Sequence, residues 1–324
     1  MTPLEALAVA AQFGIATDDA RVVALPGGYS NENARVDTPS GSFVVRRYGR
    51  LHVTRAAIEF EHIVVEKAAA RMSEVVAPLR DPAGATIVEA PSGGLASVSP
   101  YIAGETGRRD LPTAEAAVAM SARFHHAGRD IRIGSGLRSA HFVGTMAWLR
   151  ERFVRFAADR LVGRALDWNV LIAGATAAEA RVAPLADRLP TAIVHGDLNP
   201  ENVVAVEAGM VRGLIDFDFV HETERMYDIG IAVDEFARAG DDERLDLARV
   251  APLVAAYAAE AALSAEERAT LPDQMLRHAA MLAWYVATRH GERVPGDVGA
   301  APRYAARVAE IAASTDAIRE AAVG

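Results

Sequence analysis

The chain has 324 residues, 51% hydrophobic and 24% charged, which is the make-up of a folded globular protein long enough for one large domain or two lobes. A formal net charge of −9 argues against a general nucleic-acid partner, which would need a basic face to displace counterions. The absence of cysteine excludes disulfides, thiolate catalysis and cysteine-ligated zinc or iron–sulfur sites.

Residues 1–20 carry Glu5 early and no basic leader, so they read as a short amphipathic helix and not a signal peptide. A short apolar run over 21–25 meets Pro26-Gly27-Gly28, a strong turn signal. Strands are expected at 33–37 and 42–48, flanking the hairpin loop Thr38-Pro39-Ser40-Gly41. Thr54 can cap a helix running to about Arg71. A second hairpin is expected from 85–89 and 95–99 across Pro91-Ser92-Gly93-Gly94. The character changes near residues 100–104, which marks the boundary between a β-rich first part and a mainly helical remainder.

Beyond that boundary, the periodicity predicts helices over 113–127, 146–170, 232–262, 272–288 and 301–322. The stretches 128–144 and 174–189 read as loops, and one β-rich island stands at 191–219. The apolar segment 279–287 is flanked by Arg277, His278, Arg289 and His290. It falls short of the roughly 18 residues a membrane span needs, so it reads as a core helix. Trp148, Trp168 and Trp284 are expected in the core, and the chain is expected in the cytoplasm with no membrane partner.

The island reads Ile193-Val194-His195-Gly196-Asp197-Leu198-Asn199-Pro200-Glu201-Asn202-Val203-Val204, a strand ending in a polar loop before a second strand. A further strand over 210–215 delivers Asp216, Phe217 and Asp218. A hairpin of this kind brings Asn202 and Asp216 together at one end of two neighbouring strands. Mg²⁺ takes oxygen ligands, commonly a carboxylate, an amide oxygen and nucleotide phosphates. Asp197, at the start of the loop, is placed to orient a hydroxyl and accept its proton. Phosphoryl transfer asks for little beyond positioning and charge neutralisation.

His-Gly-Asp followed by four residues and Asn, then Ile-Asp-Phe-Asp, resembles the signature of the aminoglycoside phosphotransferase and type II homoserine kinase family within the protein-kinase-like superfamily. The resemblance implies an α+β, two-lobed protein-kinase-like fold. Residues 1–100 would form the small lobe, 101–104 the hinge, and 105–324 a larger helical lobe, with ATP between them. It assigns the positions of Asp197 to the catalytic base and of Asn202 and Asp216 to metal binding. The structural alternative is that Asp197 caps a turn and Asp216 binds an arginine.

In the first hundred residues, Gly27-Gly28-Tyr29-Ser30-Asn31-Glu32-Asn33 is the candidate phosphate loop, since glycines let backbone N–H groups approach phosphate oxygens. Kinase-like folds place a lysine on the third strand. The only lysine here is Lys67, in the following helix, so Arg46 takes the matching position. Arginine keeps the charge and adds a bidentate fork. Val44 shares its strand face and would line the adenine pocket, with Arg47 facing the other way. Glu61 is the expected helix partner of Arg46, with Glu59 the alternative. Ser99-Pro100-Tyr101-Ile102 resembles the hinge, where the Pro100 carbonyl and the Ile102 N–H are a chemically allowed adenine-binding pair.

Asp228 reads as a brace for the catalytic loop, His195 as its holder, and His125 and His126 as packing or capping residues. The acceptor is expected to be a small molecule offering a hydroxyl on the helical side of Asp197. Asp218, Glu222, Glu224, Asp234 and Glu235 make an acidic stretch that would favour an amine-bearing acceptor such as an amino alcohol, amino sugar or aminoglycoside; Asp218, Glu222 and Asp234 are its named candidates. The Arg46 departure keeps open a nucleotide-binding pseudokinase-like sensor, and a metal-dependent phosphohydrolase is the third class.

Overall fold

The computed structural model describes residues 1–25, 31–49, 54–131, 144–238 and 243–323. The small lobe holds one antiparallel sheet of β1 (Arg21–Leu25), β2 (Glu32–Thr38), β3 (Gly41–Arg47), β4 (Val88–Glu89) and β5 (Leu95–Pro100), in the order β1-β2-β3-β5-β4. Thr38 pairs with Gly41 and Glu32 with Arg47, so the β2–β3 turn fixes the register that places Arg46. Strand alternation then sends Val45 one way and Val44 and Arg46 the other.

Val45 is fully buried under α1 (Pro3–Gln12), among Val9, Ala10, Phe13, Val36, Ala96 and Val98. Burial of a valine of this kind contributes about 1.5–3 kcal/mol. Strand β4 is only two residues long, not the five expected over 85–89. Asp81 captures the first of those residues instead: its N–H donates to the Ala85 carbonyl (2.8 Å) and its Oδ1 accepts from the Ala85 N–H (2.7 Å).

α2 (Arg55–Ala69) starts where Thr54 Oγ1 accepts from the Ala57 N–H at 3.2 Å. After β5, the Tyr101 N–H donates to the Ser42 carbonyl (2.9 Å), and Glu105 exchanges both backbone hydrogen bonds with Ala205 (2.8 and 2.9 Å). The linker is thus stitched to a strand of each lobe.

The large lobe contains α3 (Leu111–Gly128), α4 (Met146–Ala158), α5 (Trp168–Val182), α6 (Met226–Phe236), α7 (Val250–Glu260), α8 (Ala265–Ala269), α9 (Leu271–Arg293), α10 (Ala301–Ala313) and α11 (Thr315–Val323). Its two small antiparallel pairs are β6 (Thr191–Val194) with β9 (His221–Glu224), and β7 (Val203–Glu207) with β8 (Met210–Leu214). All of α6 is buried, and it is the helix on which the site rests. No helix among the described residues is long and apolar enough to cross a membrane.

Several helix boundaries differ from the sequence expectation for local reasons. The helix expected over 146–170 breaks because Asp159 Oδ1 takes the N–H groups of Leu161 and Val162 (2.8 and 2.9 Å). A short polar side chain of this kind competes with the helix for its backbone. Residues 174–189, expected as a loop, continue α5 to Val182 and then form a 3-10 helix over Ala183–Arg188. Gly174 is not a breaker there. A Cβ on it would meet Val308 Cγ1 at 2.8 Å, so the glycine lets α10 approach. The helix expected over 232–262 is two helices, α6 and α7, and that over 301–322 divides into α10 and α11 at Ser314. Strand β9 escaped notice because His221-Glu222-Thr223-Glu224 shows no apolar alternation. Trp168 is buried in the core, whereas Trp148 and Trp284 are half-buried and meet edge to face at 4.8 Å.

Candidate active site

Strand β6 ends at Val194, and the next two residues are held by one side chain. Asp228 of α6 accepts hydrogen bonds from the backbone N–H groups of His195 and Gly196, both at 2.8 Å. It also pairs with His125 Nε2 at 2.8 Å, whose Nδ1 meets the Tyr257 hydroxyl at 2.8 Å. Burial alone would raise the Asp228 pKa, but the His125 hydrogen bond and the remaining partners hold it below the ordinary range. Gly196 adopts φ +79, and a Cβ there would meet the Phe219 carbonyl oxygen at 2.3 Å. Only glycine fits the turn. His195 bridges to the residue that follows β8: its Nε2 donates to the Ile215 carbonyl (3.0 Å), while its Nδ1 accepts from the Asp197 N–H (3.2 Å).

Each carboxylate oxygen of Asp197 accepts one amide hydrogen bond, Oδ1 from Asn199 (2.9 Å) and Oδ2 from Asn202 (2.8 Å). These leave lone pairs on both oxygens for an incoming hydroxyl. Asp197 is half-buried, and the packed walls of the cleft push its carboxyl upward; His195 opposes that shift and Asp216 adds to it. A carboxylate raised in this way is a better proton acceptor near neutral pH.

Asn202 and Asp216 come together as the hairpin required. The Ile215 N–H donates to the Asn202 carbonyl at 3.0 Å, and Asp216 follows at φ +65. That left-handed conformation costs a non-glycine residue of order 1 kcal/mol and turns its carboxylate into the cleft. Because Asn202 Nδ2 is committed to Asp197, its Oδ1 is the group left for a cation. An amide oxygen beside the Asp216 and Asp218 carboxylates is an all-oxygen donor set, which fits a hard divalent ion.

Arg46 faces this cluster from β3. Its Nη2 donates to Asp216 Oδ1 (3.2 Å) and its Nη1 to Asp218 Oδ1 (3.0 Å), with Glu61 Oε1 at 3.6 Å. Glu59 is exposed on the other side of α2, and Lys67 is exposed as well. Arg47 faces away and pairs with Glu32 (2.6 Å) and Ser92 (2.8 Å). Burial by itself would lower the Arg46 pKa, but Asp216, Asp218 and Glu61 together raise it well above the ordinary value. The carboxylates respond in turn. Burial and Asp216 raise Asp218 to about 7 despite Arg46 and Asn31, and burial and Asp218 push Glu61 up.

Asn31 is the first described residue after Leu25, and its Nδ2 donates to Asp218 Oδ2 at 2.6 Å. Gly27, Gly28 and Ser30 lie outside the described residues. Val44 is half-buried on the Arg46 face of β3. The Tyr101 N–H points to Ser42, so the Pro100 carbonyl of the same trans peptide points away from β3. Ile102 packs against β8, where a Cβ on Gly213 would meet its Cδ1 at 2.5 Å.

The acidic stretch is not one surface, which corrects that expectation. Glu222 is exposed on β9, and Glu224 binds Arg277 at 3.0 Å. Asp234 is fully buried against Arg238 (2.9 Å) and His278 (3.2 Å), and Glu235 is paired with Arg307 (2.6 Å). Of the three named acceptor candidates, only Asp218 stands in the cleft. Sequence reasoning missed Asn199 as the second holder of Asp197; an amide two residues beyond the base, inside a tight turn, was the available signal.

Residues 21–265 match the sequence profile of the phosphotransferase enzyme family. The chain belongs to that family. A curated relative, homoserine kinase of Polaromonas naphthalenivorans (strain CJ2), is 30% identical over 249 residues, covering 76% of this chain and 75% of the relative. Among solved structures, a microcompartment-associated aminopropanol kinase is similar in fold, with a TM-score of 0.74 at 16% identity and 97% of each chain covered. An amicoumacin kinase, solved with AMP-PNP and Ca²⁺, has a TM-score of 0.67 at 15% identity over 91% of this chain and 87% of its own. The protein is accordingly a protein-kinase-like phosphotransferase that acts on a hydroxyl group of a small molecule. A catalytically silent sensor is not favoured by these relatives, nor by the intact set Asp197, Asn202 and Asp216.

Proposed function

We propose that the protein transfers the γ-phosphoryl group of ATP, with Mg²⁺, to the hydroxyl of an amine-bearing small molecule such as an amino alcohol. The carrying observation is the arrangement of Asp197, held by Asn199 and Asn202, facing Asp216 and Arg46 across one cleft. The nucleotide-bound amicoumacin kinase supports the cofactor class, and the homoserine kinase relative supports the acceptor class.

In this reading the Pro100 carbonyl and Ile102 N–H take the adenine, Val44 packs on its face, and Asn31 lies on the phosphate side. Asn202 Oδ1 and the Asp216 carboxylate would hold Mg²⁺, which would supply charge neutralisation to the phosphates. Arg46 exchanges its carboxylate partners for phosphate oxygens, and Glu61 keeps its guanidinium aimed at the cleft. Asp197 orients the acceptor hydroxyl and takes its proton as the acceptor oxygen bonds to the γ-phosphorus. The bond from that phosphorus to the ADP oxygen breaks, and ADP leaves with the electron pair. Asp218 remains beside the metal residues as a charge partner for Arg46.

The test is a panel of hydroxyl compounds incubated with ATP and Mg²⁺ and read by mass spectrometry for the gain of one phosphoryl group. The expected result is phosphorylation of one or more amine-bearing alcohols, lost in Asp197→Ala. Undiminished turnover by Asp197→Ala would remove Asp197 from this role.

A further inference from the structure

Helix α2 presents different faces to the two lobes. Phe60, Val64, Val65 and Ala68 are buried in the core of the large lobe, together with Ala114, Ala117 and Val118 of α3. Ile58 and His62 lie one turn apart and face the sheet. Ile58 is buried there with Tyr48 and Ile87, and Leu95 packs against them. The apolar attachment of α2 is therefore mainly to the large lobe, although Glu61, the partner of Arg46, must meet a strand of the small lobe. Among the described residues, two polar links join α2 to β3 and the residue after it. Arg46 meets Glu61 at 3.6 Å, and the Tyr48 hydroxyl meets His62 Nε2 at 3.0 Å.

These links close a circuit. Tyr48 follows β3 and keeps its pairing, its N–H donating to the Leu95 carbonyl at 2.9 Å. It stands two positions from Arg46 and so on the same face, with the guanidinium 5.9 Å from its ring centroid. The Tyr48 hydroxyl also meets Ser97 Oγ at 3.2 Å, and Ser97 is the residue opposite Arg46 in the β3–β5 register. His62 Nδ1 meets Thr86 Oγ1 at 2.7 Å. Because His62 follows Glu61 in the helix, holding its ring holds the turn that bears the Glu61 carboxylate. Tyr48, His62 and Ser97 are all buried. Burial and the nearby Arg46 push the His62 ring down to about 4, and burial pushes the Tyr48 phenol up. At neutral pH the imidazole thus offers one N–H and one lone pair, and the phenol keeps its proton. A bridge between two hydroxyls needs both. Neither side chain takes part in the phosphoryl transfer described above.

We infer that Tyr48 and His62 are positioning residues for the reaction, holding Glu61 and through it the Arg46 guanidinium toward the phosphates of the nucleotide. This rests on the kinase reading above and adds the residues that orient its phosphate-anchoring cation. Glu61 restrains the guanidinium only while α2 stays in register with β3, and the apolar packing of α2 draws it toward the other lobe. The Tyr48–His62 bridge is the tether that keeps the register. The adenine end of the cleft lies at the far end of β5, at Pro100 and Ile102, so the effect falls on the phosphates and not on the base.

The experiment measures, by isothermal titration calorimetry on the full chain, the affinity for Mg²⁺-ATP and for adenosine, which has no phosphate. Tyr48→Phe keeps the ring and withdraws the hydroxyl. His62→Leu withdraws both ring nitrogens, and His62→Gln restores a donor and an acceptor. The expected result is a loss of about 3- to 10-fold in Mg²⁺-ATP affinity in Tyr48→Phe, the scale of one neutral hydrogen bond. His62→Leu loses at least as much, His62→Gln recovers part of it, and adenosine binds every variant with wild-type affinity. In an Arg46→Met background, Tyr48→Phe has no further effect, because the guanidinium it serves is gone. The inference is overturned if Tyr48→Phe lowers only thermal stability and leaves Mg²⁺-ATP affinity unchanged, the outcome of a purely structural network. It is also overturned if Mg²⁺-ATP and adenosine weaken alike, or if the losses from Tyr48→Phe and Arg46→Met add in full. If wild type binds neither Mg²⁺-ATP nor adenosine, the kinase reading fails, and this inference with it.

Discussion

Arg46 on the small lobe and Asp218 on the large lobe meet across the cleft, Nη1 to Oδ1 at 3.0 Å, although 172 positions separate them in sequence. The same guanidinium reaches Asp216 at 3.2 Å. The cation of the small lobe thus sits on both carboxylates of the segment that follows β8. Arg46→Met should raise the KM for ATP by roughly 10- to 100-fold, the scale of a lost charge-assisted contact. Arg46→Lys should recover part of that loss, because the charge returns without the fork. Steady-state kinetics with varied ATP separates the two.

Gly196 provides a test of loop geometry. A methyl group there must adopt φ near +79 and face the Phe219 carbonyl oxygen at 2.3 Å. Gly196→Ala should lower stability by roughly 1–3 kcal/mol through backbone strain. It should also lower kcat about 100-fold by misplacing Asp197, read from urea unfolding and initial rates on the same preparation.

Asp228→Asn should destabilise the protein by about 3 kcal/mol, because a buried carboxylate accepting from two backbone N–H groups and His125 is replaced by an amide with one acceptor oxygen. Equilibrium unfolding gives the magnitude. A variant as stable as wild type would show that the loop does not depend on this anchor.

Asp218 makes stability depend on pH in a direction opposite to an ordinary paired carboxylate. Its ordinary value is 3.8, and the folded protein holds it at about 7 through burial and Asp216. The folded state therefore retains a proton that the unfolded state has lost, and stability falls as pH climbs from about 4 to 7. Glu61, raised by burial and by Asp218, moves the same way. Asp218→Asn removes the first effect and weakens the second. The unfolding free energy of wild type minus that of the variant should be largest near pH 4 and decline to pH 8 in metal-free buffer. A difference constant across that range would contradict it.

Removal of divalent metal should abolish turnover, and Mg²⁺ should restore it. Asp216→Ala should not respond to added Mg²⁺, measured as nucleotide-dependent thermal stabilisation with and without the ion.

Much of this site was legible in the chain, for reasons of local chemistry. Asp197, Asn202 and Asp216 stand in a strand–loop–strand pattern whose hairpin brings them together whatever surrounds it. Arg46 came from the family resemblance, which implies a cation on the third strand, and from the absence of any lysine but Lys67. Thr54 capped its helix as its side chain dictates.

The sequence by itself could not rank the acidic residues, because a carboxylate's role depends on its partner. Asp218, Glu222 and Asp234 look alike in the chain. Tertiary structure set Asp218 in the cleft, Glu222 in solvent, and Asp234 in the core under Arg238 and His278. It also turned Gly174 from an apparent breaker into a helix contact against Val308. Periodicity, caps and turn residues act over a few positions and can be read in order. Burial and ion pairing join residues tens to hundreds of positions apart. The strand–loop–strand placement of Asp197, Asn202 and Asp216 belongs to the first kind of information, and the pairing of Asp234 with Arg238 and His278 belongs to the second.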